Sequence, residues 1–171
     1  MTKPDTIWSS GTQENQWLVS RLPEFQIHKG PAPTLKQRTS MLYFLIALGG
    51  ALGSVARFAL SGFVAGQFGE TFPWGTLVVN VSGSFVIGFF ATLTSPDGRL
   101  LVSPGGRQFF MTGVLGGFTT FSSFSLQTLN LVRDGEWWQA GGNVTGSVFS
   151  CLLAVWLGHL AAVYLNSLKG S

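Results

Sequence analysis

The residues best suited to chemistry lie close together in segment 113–125, which reads GVLGGFTTFSSFS. Adjacent glycines and β-branched threonines disfavour a regular helix, so we expect the backbone to break or unwind between Gly116 and Thr120. Inside a membrane, such a break persists only where it is buried in protein or lines a cavity that holds water or ions. Phe121 and Phe124, three residues apart, fall on one helical face beside the break. The segment therefore predicts a site where a polar solute or an ion contacts the protein.

Two further runs carry neutral polar side chains at helical spacing within apolar sequence. The residues that share a face are Thr76, Asn80, Ser84 and Gly88 in the first run, and Asn143, Ser147 and Cys151 in the second. Amides and hydroxyls on such a face either join helices by hydrogen bonds or line an aqueous vestibule. Both interpretations stay open on the sequence alone.

Ionised groups are scarce in the apolar runs, because Arg57 is the one charge well inside them and the acidic residues fall in loops. A carrier of cations or protons usually needs a carboxylate within the membrane. An anion needs donors instead, and amides, hydroxyls and the positive edges of phenyl rings provide them. The pattern favours a small anion. Gly49 and Gly53 precede Arg57 on its face and predict a close helix contact, while Arg57 either extends to the interface or biases an ion path positively.

The same inventory argues against an enzyme. The histidines are His28 and the isolated His159, so neither a catalytic triad nor a side-chain metal site is predicted. The sequence contains no glycine-rich phosphate loop. Cys151 is the only cysteine, which excludes an intrachain disulfide. A net charge of +3 without a basic tract does not favour nucleic acid as a partner.

Composition indicates which elements must position these residues. Apolar residues make up 46% of the chain, charged residues 10%, and the mean hydropathy is +0.35, as in integral membrane proteins. Four apolar runs approach the roughly 20 residues that cross a bilayer; they lie at about 42–65, 74–94, 107–132 and 140–165. Short loops make consecutive helices antiparallel neighbours. The sequence therefore predicts an all-α membrane fold of four helices with a break in the third. The bundle is thin, so we expect it to assemble into oligomers.

Residues 1–40 differ from the rest because they are polar and contain four prolines with scattered charges. No apolar run among them is long enough for the core of a signal peptide. We expect a loosely ordered tail at 1–40 and a transmembrane domain at 41–171. Since Met41 begins the first apolar run abruptly, a start assigned upstream of the true one and a genuine tail of unknown purpose both stay open.

Three motifs, in order along the chain, resemble those of one membrane-protein family. Segment 49–58, GGALGSVARF, looks like the first-helix signature GGxxGAxxRY of that family. Segment 75–85, GTLVVNVSGSF, resembles the second-helix motif GTLxVNxxGSF. Segment 116–125, GGFTTFSSFS, is similar to the helix break GGxTTFSTF. The family that the three motifs resemble is the Fluc (CrcB) fluoride channels; the resemblance covers residues 41–165 and marks 41–171 as a channel domain.

The resemblance implies an antiparallel, dual-topology homodimer with two fluoride pores along its interface. It also implies passive export of fluoride through the inner (plasma) membrane, which lowers fluoride toxicity. By motif position, Asn80 would donate to the anion, Phe121 and Phe124 would supply ring edges, and Ser122 and Ser123 would form a hydroxyl track. The main-chain carbonyls that would hold a central structural Na⁺ are those of Gly116 and Thr119.

The fourth helix departs from the family pattern. Asn143 stands where many relatives carry a tyrosine, with Ser147 one turn further on. We assign both to the anion pathway as an expectation, with the tyrosine's contribution left open. Phe58 likewise replaces the usual tyrosine that follows the arginine.

Loop charge bears on orientation, since dual insertion requires balanced charges on the two sides. On the side of the predicted bundle that holds the N-terminus, the basic residues are Lys3, Arg21, Lys29, Lys36, Arg38, Arg99, Arg107 and Lys169. The opposite side carries only Arg133. A homodimer and a pair with an oppositely inserted paralogue therefore both stay open. Two functional alternatives also remain: a small proton-coupled multidrug or metabolite exporter, and a membrane scaffold that transports nothing.

Overall fold

Four helical spans, each long and apolar enough to cross a membrane, make up the part of the chain that the computed structural model describes, residues 34–168. The first two are α1 (Leu35–Phe68) and α2 (Trp74–Leu93). The third span comprises α3 (Pro104–Arg107), a π-helical segment (Gln108–Leu115), α4 (Gly116–Phe118) and α5 (Phe121–Arg133), and the fourth is α6 (Trp137–Ser167). The predicted all-α membrane fold with an interrupted third helix is confirmed. Dimeric assembly stays a prediction.

The helices extend beyond the apolar runs from which they were predicted. α1 begins at Leu35 and includes Lys36 and Arg38, ahead of Met41. Hydropathy marks the membrane-crossing part of a helix, and polar residues with good helix propensity continue it outside. The predicted tail falls mostly on residues 1–33, which lie outside the described residues.

α1 packs against the third span through glycines on both elements. A methyl group on Gly49 would lie 3.0 Å from the Cα of Gly113, and one on Gly53 would overlap the carbonyl oxygen of Val114. A methyl group on Gly117 would lie 2.5 Å from the carbonyl oxygen of Gly50. Main chains approach this closely only where no Cβ intervenes. These contacts fix α1 against the segment that leads into the helix break.

α2 and α6 form the most extensive helix pair of the described chain. Gly88 of α2 lies against the carbonyl of Val155, and Gly158 of α6 lies against the carbonyl of Phe85. This reciprocal contact is the small-residue packing that membrane helices use in place of a hydrophobic driving force. It holds α2 and α6 side by side, and both helices also contact the third span.

The break itself spans two residues. Thr119 (φ −77°, ψ 156°) and Thr120 (φ −152°, ψ 113°) are extended. The N–H of Thr119 still donates to the carbonyl of Leu115 at 3.0 Å, but the N–H of Thr120 makes no helical hydrogen bond, and the helix resumes at Phe121. The Thr120 hydroxyl caps α5 by accepting from the N–H of Ser123 at 3.1 Å. Threonine suits both tasks, because its β-branch favours extended backbone and its hydroxyl serves as an N-cap.

Two arginines close the end of the bundle at which α2 and α6 finish. Arg99 donates from its guanidinium to the carbonyl of Leu165 at 3.2 Å and from its main chain to Oδ1 of Asn166 at 3.0 Å. Arg107 donates to the carbonyl and the hydroxyl of Thr94. Cations at helix C-termini satisfy free carbonyls and oppose the negative end of the helix dipole. Both charges are therefore bound to the protein's own helix ends.

Candidate anion pathway

Asn80 occupies the main chain that the break exposes. Its Oδ1 accepts from the N–H of Thr120 at 2.7 Å, and its Nδ2 donates to the carbonyl of Thr120 at 3.0 Å. The side-chain amide thus replaces the helical partners that Thr120 lacks, as buried main-chain groups require. One N–H of Nδ2 remains after this pairing, because a primary amide has two. Asn80 can therefore hold the break and still offer a donor.

A cavity of about 420 Å³ lies beside this pair. Its wall combines neutral polar groups at the break with apolar side chains, and residues 34–168 place no carboxylate or ammonium in it. The lining residues are Asn80, Gly83, Ser84, Ile87, Met111, Leu115, Gly116, Thr119, Thr120, Phe121, Phe124, Ser147, Val148, Cys151 and Leu152. Residues of the broken segment and of the two further polar faces therefore line one groove, although they come from three different spans.

The two phenylalanines contact each other at this groove but differ in burial. Their ring centroids lie 5.2 Å apart with the planes tilted by 49°. Phe124 is 8% exposed, whereas Phe121 is 77% exposed. The single chain therefore covers one ring and leaves the other open on its surface. The positive edge of a tilted ring can face an anion.

A second, larger cavity of about 1080 Å³ lies on the other side of Thr120, which lines both cavities. Its polar wall is formed mainly by α1 and α5, with Arg57, Ser54, Ser123, Gln127 and Asn130 among the lining residues. Three acidic residues of the loops also line it: Glu70, Asp134 and Glu136. We call this second cavity the vestibule and the first the groove. The Asn80–Thr120 pair separates them.

Arg57 is half-buried in the wall of the vestibule. Among the described residues, no acidic group forms an ion pair with it, although the three loop carboxylates line the same cavity. Arg57 lies in the interior of α1, whereas those carboxylates belong to the connections between helices. The structure thus directs Arg57 into the cavity rather than to a protein partner.

The hydroxyls of Ser122 and Ser123 cluster around Thr120. Thr120 Oγ1 lies 3.2 Å from Ser122 Oγ and donates to Ser123 Oγ at 3.1 Å. Ser123 reaches the vestibule, while Ser122 lines neither cavity. Of the two, only Ser123 therefore lies at the vestibule. Their predicted role as a track opposite the phenylalanines stays a prediction.

Asn143 and Ser147 are connected but not equivalent. Asn143 is only 2% exposed and lines neither cavity, whereas Ser147, one turn further along α6, lines the groove. Asn143 donates from Nδ2 to Thr128 Oγ1 at 2.8 Å and accepts from Ser147 Oγ at 3.3 Å. Thr128 thus belongs to the site through Asn143, and the sequence offered no sign of it.

The carbonyls of Gly116 and Thr119 lie at the end of α4. The N–H of Thr120 would complete a helical bond to Gly116, but it donates to Asn80 instead. Within residues 34–168, neither carbonyl accepts a hydrogen bond. Free carbonyl oxygens are ligands for a hard cation such as Na⁺. The residues present therefore fit the predicted cation site.

Sequence reasoning missed the α5 wall of the vestibule. Ser123, Gln127, Asn130 and Asp134 recur at intervals of four, three and four residues, which places them on one face of a helix. Gln127 Oε1 is buried without a hydrogen-bond partner among the described residues, in the wall of a cavity that could hold one. The spacing was readable in the sequence, and it marks a polar stripe that begins at the break.

These features define a class: a multi-pass membrane protein whose broken third span carries a polar groove between two other spans. The comparisons with known proteins agree. The family model "CrcB-like protein, Camphor Resistance (CrcB)" matches residues 44–159, and the chain belongs to this family.

Relatives with curated names are highly similar. A protein of Opitutus terrae named "Fluoride-specific ion channel FluC" is 78% identical over 130 residues, covering 76% of this chain and 98% of that protein. A protein of the same name from Methylocella silvestris is 60% identical over 131 residues, covering 77% of this chain and all of the relative. A third, from Rhodospirillum rubrum, is 60% identical over 126 residues, covering 74% and 98%.

Proposed function

We propose that this protein is a fluoride channel, and not an enzyme, that exports fluoride passively across the inner membrane and so lowers its toxicity. The observation that carries the proposal is the groove at the break, where neutral donors and phenyl rings meet without a carboxylate. The printed names of relatives up to 78% identical support fluoride as the ion.

In the proposed mechanism, an anion first enters the vestibule, where the positive charge of Arg57 attracts it. Amides and hydroxyls of the α5 wall replace part of its water, because each can donate a hydrogen bond. The anion then passes the remaining N–H of Asn80 at the break. Beyond Asn80 it meets the edges of Phe121 and Phe124 and the hydroxyl of Ser147. No proton or cation needs to be coupled to this movement.

The proposed assembly is an antiparallel dimer of two such chains, with one pore on each side of its interface. The position of Phe121 supports this assembly, because the ring is 77% exposed beside a groove whose polar groups lipid cannot satisfy, so a partner chain would cover both. The partner can be a second copy of this chain or an oppositely inserted paralogue. Lipid would surround the remaining apolar surface, which bears exposed tryptophans near one end of α6, Trp137 and Trp138.

A structural Na⁺ at the dimer centre fits the freed carbonyls of Gly116 and Thr119. When bound, it would supply positive charge that neutralises main-chain oxygens lacking donors. Two carbonyls are too few for a complete Na⁺ shell, so both subunits would have to contribute. The chain's own residues would hold the break open for it through the Asn80–Thr120 pair.

Fluoride efflux from proteoliposomes containing the full chain, followed with an ion-selective electrode, tests the proposal. Fast loss of fluoride with little loss of chloride is the expected result. Uptake of a drug or metabolite driven by a pH gradient would instead indicate the proton-coupled exporter. If the vesicles pass no solute at all, the result would favour a membrane scaffold that transports nothing.

A further inference from the structure

Asn143 is the most deeply buried polar side chain of the fourth span, yet the proposed pathway does not use it. It lies behind the groove, between α5 and α6, and it connects two hydroxyls. Nδ2 donates to Thr128 Oγ1 at 2.8 Å, and Ser147 Oγ donates to Oδ1 at 3.3 Å. Thr128 in turn donates to the carbonyl of Phe124 at 2.8 Å. The chain of bonds therefore ends at two groove residues, Phe124 and Ser147.

The count of protons fixes the direction of this chain. A hydroxyl has one proton, and Thr128 gives its proton to the Phe124 carbonyl. Thr128 can therefore only accept from Asn143, which turns Nδ2 towards Thr128 and Oδ1 towards Ser147. Ser147 then has one proton to give, either to Asn143 Oδ1 or to a species in the groove.

Ser147 departs from a recurrent behaviour of hydroxyls in this bundle. Eight of them donate to the main-chain carbonyl four residues earlier, at 2.7–3.0 Å. The residues that do so are Thr39, Ser82, Thr92, Thr94, Thr119, Ser125, Thr128 and Thr145. Ser147 donates to the side chain of the residue four earlier, as the exposed Thr112 does with Gln108. Asn143 thus takes the place of the main-chain acceptor.

The distance indicates why this matters. Hydrogen bonds between oxygens are usually about 2.7–2.8 Å long and weaken as they lengthen. At 3.3 Å, the bond from Ser147 to Asn143 is long, whereas a hydroxyl bonded to a main-chain carbonyl would hold its proton more firmly. A small anion in the groove therefore competes more easily for the Ser147 proton when that proton is bonded to Asn143 Oδ1 than when it is bonded to a main-chain carbonyl. Hydrogen bonds to charged acceptors are stronger than those to neutral acceptors.

We propose that Asn143 is a positioning residue that keeps the hydroxyl proton of Ser147 available to an anion in the groove. It does so by offering a weak acceptor in place of the main-chain carbonyl and by being held in one orientation by Thr128. The proposal deepens the proposed function and rests on it. The anion contacts Ser147, not Asn143.

Removing Asn143 tests this role. In N143L, Ser147 is free to adopt the usual bond to the main-chain carbonyl of residue 143. We expect fluoride efflux to fall about tenfold, as for loss of a donor to a charged group. S147A should lower efflux by a similar factor. The matched control is T145V, because Thr145 is an exposed hydroxyl on the same helix that lines neither cavity. Its efflux should equal that of the unmodified chain.

The double variant N143L/S147A separates positioning from general packing. If Asn143 acts through Ser147, the double variant conducts no more slowly than the slower single variant. If Asn143 only supports the fold, the two losses multiply, to about a hundredfold if each loses about tenfold. Multiplied losses, or full efflux through N143L, would overturn the proposal.

Thr128 provides a second route in case N143L does not assemble. T128V removes the anchor of Asn143 but keeps the shape of the side chain, and T128S restores the hydroxyl. We expect efflux to fall several-fold in T128V, to recover in T128S, and to be no slower in T128V/S147A than in S147A alone. Additive losses here would also overturn the proposal. Absence of fluoride efflux from the unmodified chain would instead refute the proposed function itself.

Discussion

Asn80 and Asn143 use their side-chain amides in different ways. Asn80, on α2, directs both ends of its amide to the main chain of one residue, Thr120, at 2.7 and 3.0 Å. Asn143, on α6, directs both ends to side-chain hydroxyls, at 2.8 and 3.3 Å. Both bonds to Thr120 are well formed, whereas one of those to Asn143 is long. Asn80 therefore fixes the main chain at Thr120, whereas Asn143 leaves the hydroxyl proton of Ser147 free to bond another acceptor.

The difference shows how one kind of side chain serves two purposes in a membrane. A side-chain amide paired with extended main chain supplies the hydrogen-bond partners that lipid cannot, so it stabilises a break in a helix. An amide paired with hydroxyls sets their direction without altering the helix that carries them. Each asparagine is also linked to one of the two groove phenylalanines. Asn80 bonds Thr120, which Phe121 follows directly, and Asn143 bonds Thr128, which donates to the Phe124 carbonyl.

The largest effect is expected from Asn80→Asp. Aspartate still accepts from the N–H of Thr120, but it faces the Thr120 carbonyl with a second oxygen and presents a negative charge to the anion. We expect fluoride efflux to fall to background and thermal stability to drop, since an unmatched buried carbonyl costs about 1–3 kcal/mol. Efflux from proteoliposomes and thermal unfolding in detergent measure the two effects.

Asn166→Asp is the matched control for that change. Asn166 also accepts through Oδ1 from a main-chain N–H, that of Arg99, and donates through Nδ2 to a main-chain carbonyl, that of Thr92 at 3.4 Å. It lies at the end of α6, away from both cavities. The control should retain most of its efflux. Full anion flux through the Asn80 variant would remove Asn80 from the pathway.

The next effect, in order of size, concerns the exposed ring. Phe121→Ile keeps apolar bulk beside the break but removes the ring edge and the contact with Phe124. We expect about a tenfold loss of fluoride efflux, in line with an anion contact that is not replaced. Phe149→Ile, at an α6 ring that is 70% exposed and lines neither cavity, serves as the control. Equal efflux in both variants would exclude Phe121 from the mechanism.

The chain's only cysteine reports on the Asn143 side of the groove. Cys151 lies one turn beyond Ser147 and lines the same cavity. A methyl methanethiosulfonate adduct would narrow a space of about 420 Å³, so we expect efflux to fall several-fold after treatment. Cys151→Ala should conduct normally and resist the reagent. A chain that is modified at Cys151, as mass spectrometry can show, but still conducts fully would place the anion path elsewhere.

Much of the fold was predictable because its causes are local. Apolar runs of sufficient length gave four spans, and the glycine pair with two threonines gave the break. Helix ends were not predictable from hydropathy, since Lys36 and Arg38 continue α1 in polar sequence. The π-helical segment (Gln108–Leu115) was not predicted either, and it packs against α1, a contact between distant parts of the sequence.

The residues of the site could be predicted from helix spacing, but their hydrogen bonds could not, because these join residues that are distant in the sequence. Spacing placed Asn80, Ser84 and Gly88 on one face, but it could not say that Asn80 would bond the main chain of Thr120. That bond joins residues 40 positions apart, and helix periodicity does not reach so far. Likewise, Asn143 and Ser147 share a face by spacing and are both buried, but only tertiary packing places Ser147, and not Asn143, in the wall of the groove.

The smallest effect is expected from Arg57, which acts at a distance on the vestibule side. Its charge would raise the local concentration of anions without contacting them in the groove. Arg57→Gln should therefore slow efflux about threefold at low ionic strength, and the deficit should shrink as salt shortens the Debye length to about 10 Å or less.

Arg57→Lys is the control, because it keeps the charge and loses the guanidinium. If Arg57 acts as a charge, the lysine variant conducts like the unmodified chain at every ionic strength. A lysine variant as slow as the glutamine variant would mean that the guanidinium makes a specific hydrogen bond, with an anion or a second subunit. Equal efflux in all three proteins would favour an arginine that only extends towards the interface, and the attraction of anions would then have to come from the amides and hydroxyls of α5.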